Sequence, residues 1–586
     1  MNIRKIYEET DDEQLQTKKM SKLSWLLLGI PFFLVEASLV RGSVAQTTPP
    51  ANIPEPILPE PRSQPDLEPL PPPEELLQPP TAPTPEPESP TIPGTITVRE
   101  FEVVGSTVFD EEELAQLLAE YTNRPLTFAE LLAAQQAVTR LYQQRGYITS
   151  GAFIPPQALE NGTVTIQVVE GEIEEIEISG LDRLKPGYVR SRLENATKAP
   201  LNQQELLTAL QLLQLDPLIE RLSVELTAGT RPGVSRLEVF VEDAPGFYTE
   251  LGLDNQRSPS VGSHRRIIQI GHNNLLGWGD RLNVSYYNTD GSNTLDDISY
   301  TVPINARDGT ISFSHRRTES EIIEEPFNEL DIISESRTYQ LSYRQPVYRT
   351  PNTEFAVGVT GTLQESETSL LGIPFPLSAG AENDGETTVT SLRFFQEYTT
   401  RTAQQVFAAR SQFSLGIDAF DATINEENPD GRYFSWRGQA QYLRLLAPDT
   451  VFLLRSDLQV ADRPLVPLEQ FSLGGQLSVR GYRQDVLLAD SGFFASAEVR
   501  VPIARIREWD TILQVTPFFD FGTVWNNNEI ELEEQTISSV GLGLQLLIGD
   551  NFVARLDWGI PLVELETTGD SLQEEGIYFS IRYSPF

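Results

Sequence analysis

Cysteine is absent from this chain, which excludes disulfide frameworks, thiolate metal sites and cysteine nucleophiles. Histidine is almost absent. His264, His272 and His315 are scattered, without the His-x-x-x-His or His-Glu spacing that holds zinc, and they read as polar side chains on strands or in loops. Basic residues are scarce as well, with 44 Lys and Arg against 84 Asp and Glu, a formal charge of −40. A nucleic-acid binder needs a basic footprint to neutralise phosphates, so no nucleic-acid partner is expected. There is no Gly-rich phosphate loop and no Gly-x-Ser-x-Gly elbow. No catalytic, metal or cofactor site is therefore expected, and the chain does not read as an enzyme.

Apolar runs long enough for a membrane helix are also missing from the N-terminal region. Leu23 to Val35 follows Lys22, is interrupted by Pro31, and precedes the small residues Ser43-Val44-Ala45. Such a stretch is short for a membrane span but fits the h-region of a signal peptide. Residues 1–45 thus read as a leader. Met20 is the expected start, because residues 1–19 are acidic and polar, unlike an n-region; an extended leader is the alternative. Residues 46–94 contain 18 of the 42 prolines. Lacking backbone donors and apolar mass, this segment reads as a disordered tether.

What the chain does have begins at residue 95. Two successive units, 95–171 and 172–244, share one layout. In the first, 96–104 alternates as a strand. Asp110 with Glu113, and Thr127 with Glu130, form capping boxes at two helix starts. The second helix aligns Phe128, Leu131, Leu132, Gln135, Val138 and Tyr142 on one stripe, apolar except for Gln135, and Gly146 stands at the C-cap. Strands follow over 147–154 and 163–169. In the second unit 173–178 is a strand and 186–193 a short helix. Asn202 with Glu205 caps a helix bearing Leu206, Leu207, Leu210 and Leu213. Strands over 219–226 and 234–241 close the unit. Each is β-α-α-β-β, a sheet with two helices on one face.

From residue 245 to 586 helical periodicity disappears. About sixteen segments of roughly ten residues alternate apolar and polar side chains between Asn, Asp, Gly and Ser, an even number within the range of outer-membrane barrels. A large soluble sandwich or propeller is the competing reading. The run has no blade repeat, however, and its aromatics, such as Tyr286, Phe394 and Trp558, stand near segment ends. A closed barrel also leaves no backbone unsatisfied in lipid. The final segment ends in Tyr583 and Phe586, an aromatic terminus of the kind that outer-membrane barrels carry as an assembly signal, although Ser584-Pro585 shifts Phe586 out of register.

One pair of motifs stands out against the repetitive strands. Val479-Arg480-Gly481-Tyr482 is followed some forty residues later by Phe518-Phe519-Asp520-Phe521-Gly522. With the two units and the barrel, these motifs resemble the two-partner secretion transporters, the haemolysin secretion/activation proteins of the ShlB/FhaC/HecB type. The resemblance covers the chain from Ile96 onward. Leu141-Tyr142-Gln143-Gln144-Arg145-Gly146-Tyr147 and Phe153-Ile154-Pro155-Pro156-Gln157 are similar to the first POTRA domain of that family.

The resemblance implies that a long loop folds into the lumen and that Val479, Arg480, Gly481 and Tyr482 latch onto Phe518, Asp520 and Gly522. Some members place a helix ahead of the first POTRA domain in the pore; Pro49 to Pro93 cannot form one. The implied function is export of a large partner protein across the outer membrane of a Gram-negative-type bacterium, with the POTRA units in the periplasm and no nucleotide hydrolysed. A barrel-assembly insertase of the same superfamily is the alternative. The implied partners are the extended client chain, outer-membrane lipid and, during biogenesis, the barrel-assembly machinery. Strand addition would hold the client at an edge of the second unit, around Leu206, Leu210, Leu213, Val234, Leu237 and Val239.

Overall fold

The computed structural model describes residues 95–585 apart from 158–161, 232, 428, 528–531, 533 and 566–568. The leader, the proline-rich segment and Phe586 lie outside the described residues.

The first unit opens with β1 (Ile96–Val98) and β2 (Glu100–Val104). The alternation over 96–104 predicts a single strand, but the chain bends at Arg99, whose N–H donates to the Gly162 carbonyl at 2.8 Å. As a result β1 pairs with β3 (Arg124–Leu126) in a separate small sheet. Asp110 caps α1 (Glu111–Leu118) by accepting from the Glu113 N–H at 2.8 Å. The capping box of Thr127 and Glu130 starts α2 (Phe128–Gln144). The β-prone stretch after Gly146 is not strand until β4 (Gly151–Phe153). Before it, the Tyr147 N–H returns to the Tyr142 carbonyl at 2.9 Å and Ser150 to Tyr147 at 3.0 Å. With β5 (Thr163–Val169), the sheet order is β2-β5-β4, and Leu118, Val138, Tyr142 and Ile166 fill the core.

Gln135, the polar member of the α2 stripe, has a specific task. Its Nε2 donates to the Ala152 carbonyl at 2.5 Å, while Thr139 Oγ1 accepts from the Ala152 N–H at 3.0 Å. Both groups belong to the outer edge of β4, so two helix side chains satisfy the edge that another strand would otherwise seek. Gln157 works similarly beyond Pro155 and Pro156, pairing its amide with both backbone groups of Thr165 at 2.8 Å.

The second unit comprises β6 (Glu172–Ser179), α3 (Pro186–Glu194), α4 (Gln203–Gln214), β7 (Ile219–Ala228) and β8 (Val234–Asp243). Its order is β6-β8-β7, so β8 is the central strand.

A closed barrel follows. Its first half contains β9 (Phe247–Asp254), β10 (Arg265–Asn273), β11 (Arg281–Asn288), β12 (Ser292–Pro303), β13 (Thr310–Glu321), β14 (Ile332–Arg349) and β15 (Thr353–Leu370). The two-residue β16 (Ile373–Pro374) extends β15. Then come β17 (Glu386–Arg401), β18 (Gln405–Ile417), β19 (Phe434–Ala447) and β20 (Thr450–Ala461). A long loop carries the hairpin of β21 (Phe471–Leu473) and β22 (Leu487–Ala489). The wall closes with β23 (Ser491–Ile506), β24 (Thr511–Trp525), β25 (Thr536–Ile548), β26 (Phe552–Pro561) and β27 (Ile577–Tyr583). Setting aside β16 and the hairpin, sixteen antiparallel strands form the wall. Phe313, Leu341, Leu542 and Trp558 are exposed on its outer face, as a lipid-facing surface requires. Tyr583 is exposed at the end of β27.

The seam between β27 and β9 is short, running from Ser580 opposite Asp254 to Tyr583 opposite Leu251. Beyond it the buried Asn255 side chain continues the ladder, donating to the Ile577 carbonyl at 2.9 Å and accepting from the Phe579 N–H at 2.8 Å.

The second unit is fastened to the periplasmic rim. The turn at 274–280 is held by Asp280, which accepts from Leu276 and Trp278 N–H groups at 3.0 and 3.2 Å. Onto it dock the Lys185 N–H, 2.9 Å from the Gly277 carbonyl, and the Lys185 ammonium, 4.4 Å from the Trp278 ring centroid. At the next turn Asp308 pairs with both Arg192 of α3 and Arg349 of β14.

Candidate functional site

The loop between β20 and β23 turns back into the barrel because its own hairpin has an apolar side. Phe471, Leu473, Val479, Tyr482 and Leu487 pack against Phe494, Val524 and Ile537 of the wall. Burial of several such side chains contributes about 1.5–3 kcal/mol each relative to exposure, so the loop rests on a core as well as on charges. Gly522 makes room for it, since a Cβ there would lie 2.6 Å from Leu473 Cδ1.

At the tip, Arg480 and Asp520 are both 0 % exposed. Arg480 Nε donates to Asp520 Oδ2 at 2.7 Å and Nη2 to Oδ1 at 2.8 Å, and the Arg480 backbone N–H reaches Oδ2 at 3.1 Å. The guanidinium lies with Cζ 3.4 Å from the Phe518 ring centroid, a stacked, bidentate arrangement that lysine cannot copy. Ser496 Oγ donates to Asp520 Oδ1 at 2.6 Å.

Arg480 also engages a larger set. Its Nη1 donates to Glu498 Oε2 at 2.8 Å and stands 3.7 Å from Asp557 Oδ1. Arg500 Nε reaches Glu498 Oε1 at 2.8 Å. Arg555 spans Glu498 at 2.6 Å and Asp557 at 2.7 Å. Three arginines thus face three carboxylates, Glu498, Asp520 and Asp557, and the cluster is electroneutral. Sequence reasoning missed Glu498, Arg500, Arg555 and Asp557. A signal exists: each pair stands at i and i+2 within an otherwise amphipathic strand, on β23 and β26, so both members share the lumen face.

The other motif residues meet there too. The Gly481 N–H donates to the Tyr578 hydroxyl at 3.0 Å, and that hydroxyl donates to the Tyr482 carbonyl. The Tyr482 hydroxyl lies 2.9 Å from the Ser538 carbonyl. Val479 is buried in the apolar cluster. Toward the outside, Arg483 pairs with Glu324 at 2.7 Å and with Glu574 at 3.4 Å, and the Gln484 N–H donates to Gln573 Oε1 at 2.8 Å.

The expected client edge is corrected. Leu206, Leu210 and Leu213 of α4 and Leu237 and Val239 of β8 belong to the interior cluster of the second unit, Val234 is buried at the start of β8, and β8 lies between β6 and β7. None of the six is available to a partner. Alternation identifies a buried face, but it does not distinguish a central strand from an edge.

The family model for haemolysin secretion/activation protein ShlB/FhaC/HecB matches residues 233–546, and that for the ShlB-type POTRA domain matches 96–171. Among curated relatives, the heme/hemopexin transporter protein HuxB of Haemophilus influenzae strain 86-028NP is 22% identical over 480 residues, covering 77% of this chain and 80% of HuxB. Among solved structures, CdiB from Escherichia coli superposes with a TM-score of 0.65 at 21% identity, covering 86% of this chain and 92% of that one. BamA from Haemophilus ducreyi lacking POTRA domains 1–3 superposes less closely, with a TM-score of 0.51 at 15% identity, over 84% of this chain and all of that chain.

Proposed function

This chain belongs to the haemolysin secretion/activation family ShlB/FhaC/HecB, and on that premise we propose that it conducts one large partner protein, as an extended chain, across the outer membrane. The observation that carries this reading is the attachment of the second unit to the barrel rim through Lys185, Arg192 and Asp308, which anchors the tandem units at the lumen entrance. No nucleotide and no catalytic group takes part; folding of the product outside supplies direction, because a folded chain cannot return.

The client enters by adding a strand to an edge. With β4 closed by Gln135 and Thr139, β2 is the open edge of the first three-stranded sheet, and it takes the receiving role here. Arg480 and Asp520 act as the latch that keeps the loop in the lumen. Lipid surrounds the apolar outer face, and the terminal strand with Tyr583 engages the assembly machinery during biogenesis.

Gene deletion tests the reading against the insertase alternative. Loss of a single secreted protein, encoded beside this gene, with normal levels of other barrels supports export. Depletion of many outer-membrane barrels would establish an insertase instead.

A further inference from the structure

Two opposite stretches of the lumen wall are unlike. On the wall formed by β23 to β26, inward side chains such as Glu498, Asp520, Ser539 and Gln545 are buried, the first two against Arg480 of the loop. On β12 to β14, the inward side chains at mid-wall are half-buried hydroxyls and a carboxamide, with Asp297 and Arg316 on the same face to one side of them and Arg344 to the other. Ser299, Ser314 and Gln340 form one cross-strand row, and Thr301, Ser312 and Ser342 form the next. They alternate with Phe313 and Leu341, which are exposed on the lipid side. Their hydroxyls already pair loosely among themselves, Thr301 with Ser312 at 2.8 Å and Ser342 with Thr360 of β15 at 2.9 Å.

We infer that this hydroxyl and amide lane on β12 to β14 is the track along which the extended client crosses the barrel. The inference rests on the polypeptide-transport reading and assigns its path. Hydroxyls and carboxamides both donate and accept, so they can exchange hydrogen bonds with any peptide backbone regardless of sequence. Between the charges of Asp297, Arg316 and Arg344, the two rows themselves offer neither ion pairs nor apolar pockets in which a segment would lodge, and conduction requires binding weak enough to release. The position fits as well. Asp308, which the second unit grips through Arg192, stands in the turn joining β12 to β13, and its other partner Arg349 ends β14. The second unit, which joins the client-receiving first unit to the barrel, is therefore fastened directly beneath the lane, on the side away from the filled wall.

The chain has no cysteine, so single cysteines report without background. In the purified full-length protein in lipid, Ser314→Cys and Gln340→Cys should be labelled rapidly by a charged methanethiosulfonate reagent, read as a mass shift. Ser539→Cys and Gln545→Cys should be labelled far more slowly. Equal labelling at all four, or faster labelling on β25, overturns the lane. Reduced, carboxymethylated α-lactalbumin, added as an unfolded chain to the periplasmic side of open channels, should cause transient current blockades that Gln340→Trp prolongs. Blockades indifferent to Gln340→Trp overturn the lane and leave transport standing. Open channels that this chain never blocks overturn the transport reading itself.

Discussion

Gly559 of β26 lies against Gly481 at the tip of the pore loop so closely that a Cβ on Gly559 would stand 2.5 Å from the Gly481 amide nitrogen. Backbone meets backbone there, and neither residue can carry a side chain without displacing the other. Gly559→Val should therefore insert normally yet unseat the loop, since overpacking costs about 1–3 kcal/mol. Limited trypsin digestion of intact cells checks this: cleavage after Arg480 or Arg483 should appear in the variant and be absent from the parent. A protected loop in Gly559→Val would show that the tip tolerates withdrawal of its contact.

Arg480→Ala should leave a folded, heat-modifiable barrel but impair secretion of the client. Removing one partner of a dry buried pair costs about 3–5 kcal/mol; in a wet lumen, and with the apolar side of the loop still packed, the loss should be smaller. Arg480→Lys should rescue only in part, because it loses the bidentate fork and the stacking on Phe518. Comparing Arg480→Ala and Asp520→Asn with the double variant gives the coupling directly. Normal secretion by Arg480→Ala would remove the latch role.

Asp308→Ala should loosen the second unit from the rim by up to about 1.5–3 kcal/mol, the scale of hydrogen bonds to charged groups. Spin labels on α3 and β14 should then show a broadened distance distribution. An unchanged distribution would mean that Lys185 on the Gly277–Trp278 turn suffices by itself.

Gln135→Leu should expose a strand edge. It leaves the Ala152 carbonyl without its donor, at a cost of about 1–3 kcal/mol, and the edge of β4 becomes a template for pairing. Cross-linking of the full chain in detergent should reveal a dimer that the parent does not form.

Glu130 gives a pH prediction. Hydrogen bonds from Arg124, followed by those from the Thr127 backbone and hydroxyl, hold its carboxyl down at about 2. A lowered folded value means stabilisation that is complete above the ordinary carboxylate range and is lost as pH falls toward about 2. Hydrogen exchange in the first turn of α2 should therefore accelerate over that acid window, and Glu130→Gln should flatten the response. An equal acid response in Glu130→Gln would place the sensitivity elsewhere.

Much of this architecture is legible in the chain because local rules and tertiary packing agree. The capping residues Asp110, Thr127 and Asn202 all start helices, and strict alternation marks the barrel strands. Arg480 and Asp520 are conspicuous because isolated charges flanked by glycine and aromatics break that alternation, and the structure brings them together. Three things were not legible. Tyr147 to Ser150 have strand-like side chains, but the Tyr147 N–H is claimed by Tyr142 in α2 and the Ser150 N–H turns back to Tyr147. Sheet order is a long-range property, which is why the alternating Val234, Leu237 and Val239 look the same at a centre as at an edge. Glu498 and Arg555, finally, resemble ordinary lumen residues until the loop that covers them is in place.

The cancelling charges around Arg480 have one more consequence. A group of three cations and three anions in contact presents almost no monopole, and contacts of this length lie well inside the Debye length of about 8 Å at 0.15 M ionic strength. Dissolved ions can neither weaken it much by screening nor be drawn to it strongly as counterions. The extracellular medium is the one solution around a cell whose salinity the cell does not regulate, and the loop faces it. The hold of this buried cluster should therefore vary little between dilute water and brine, and any salt dependence of the loop should come from the partly exposed Arg483–Glu324 pair.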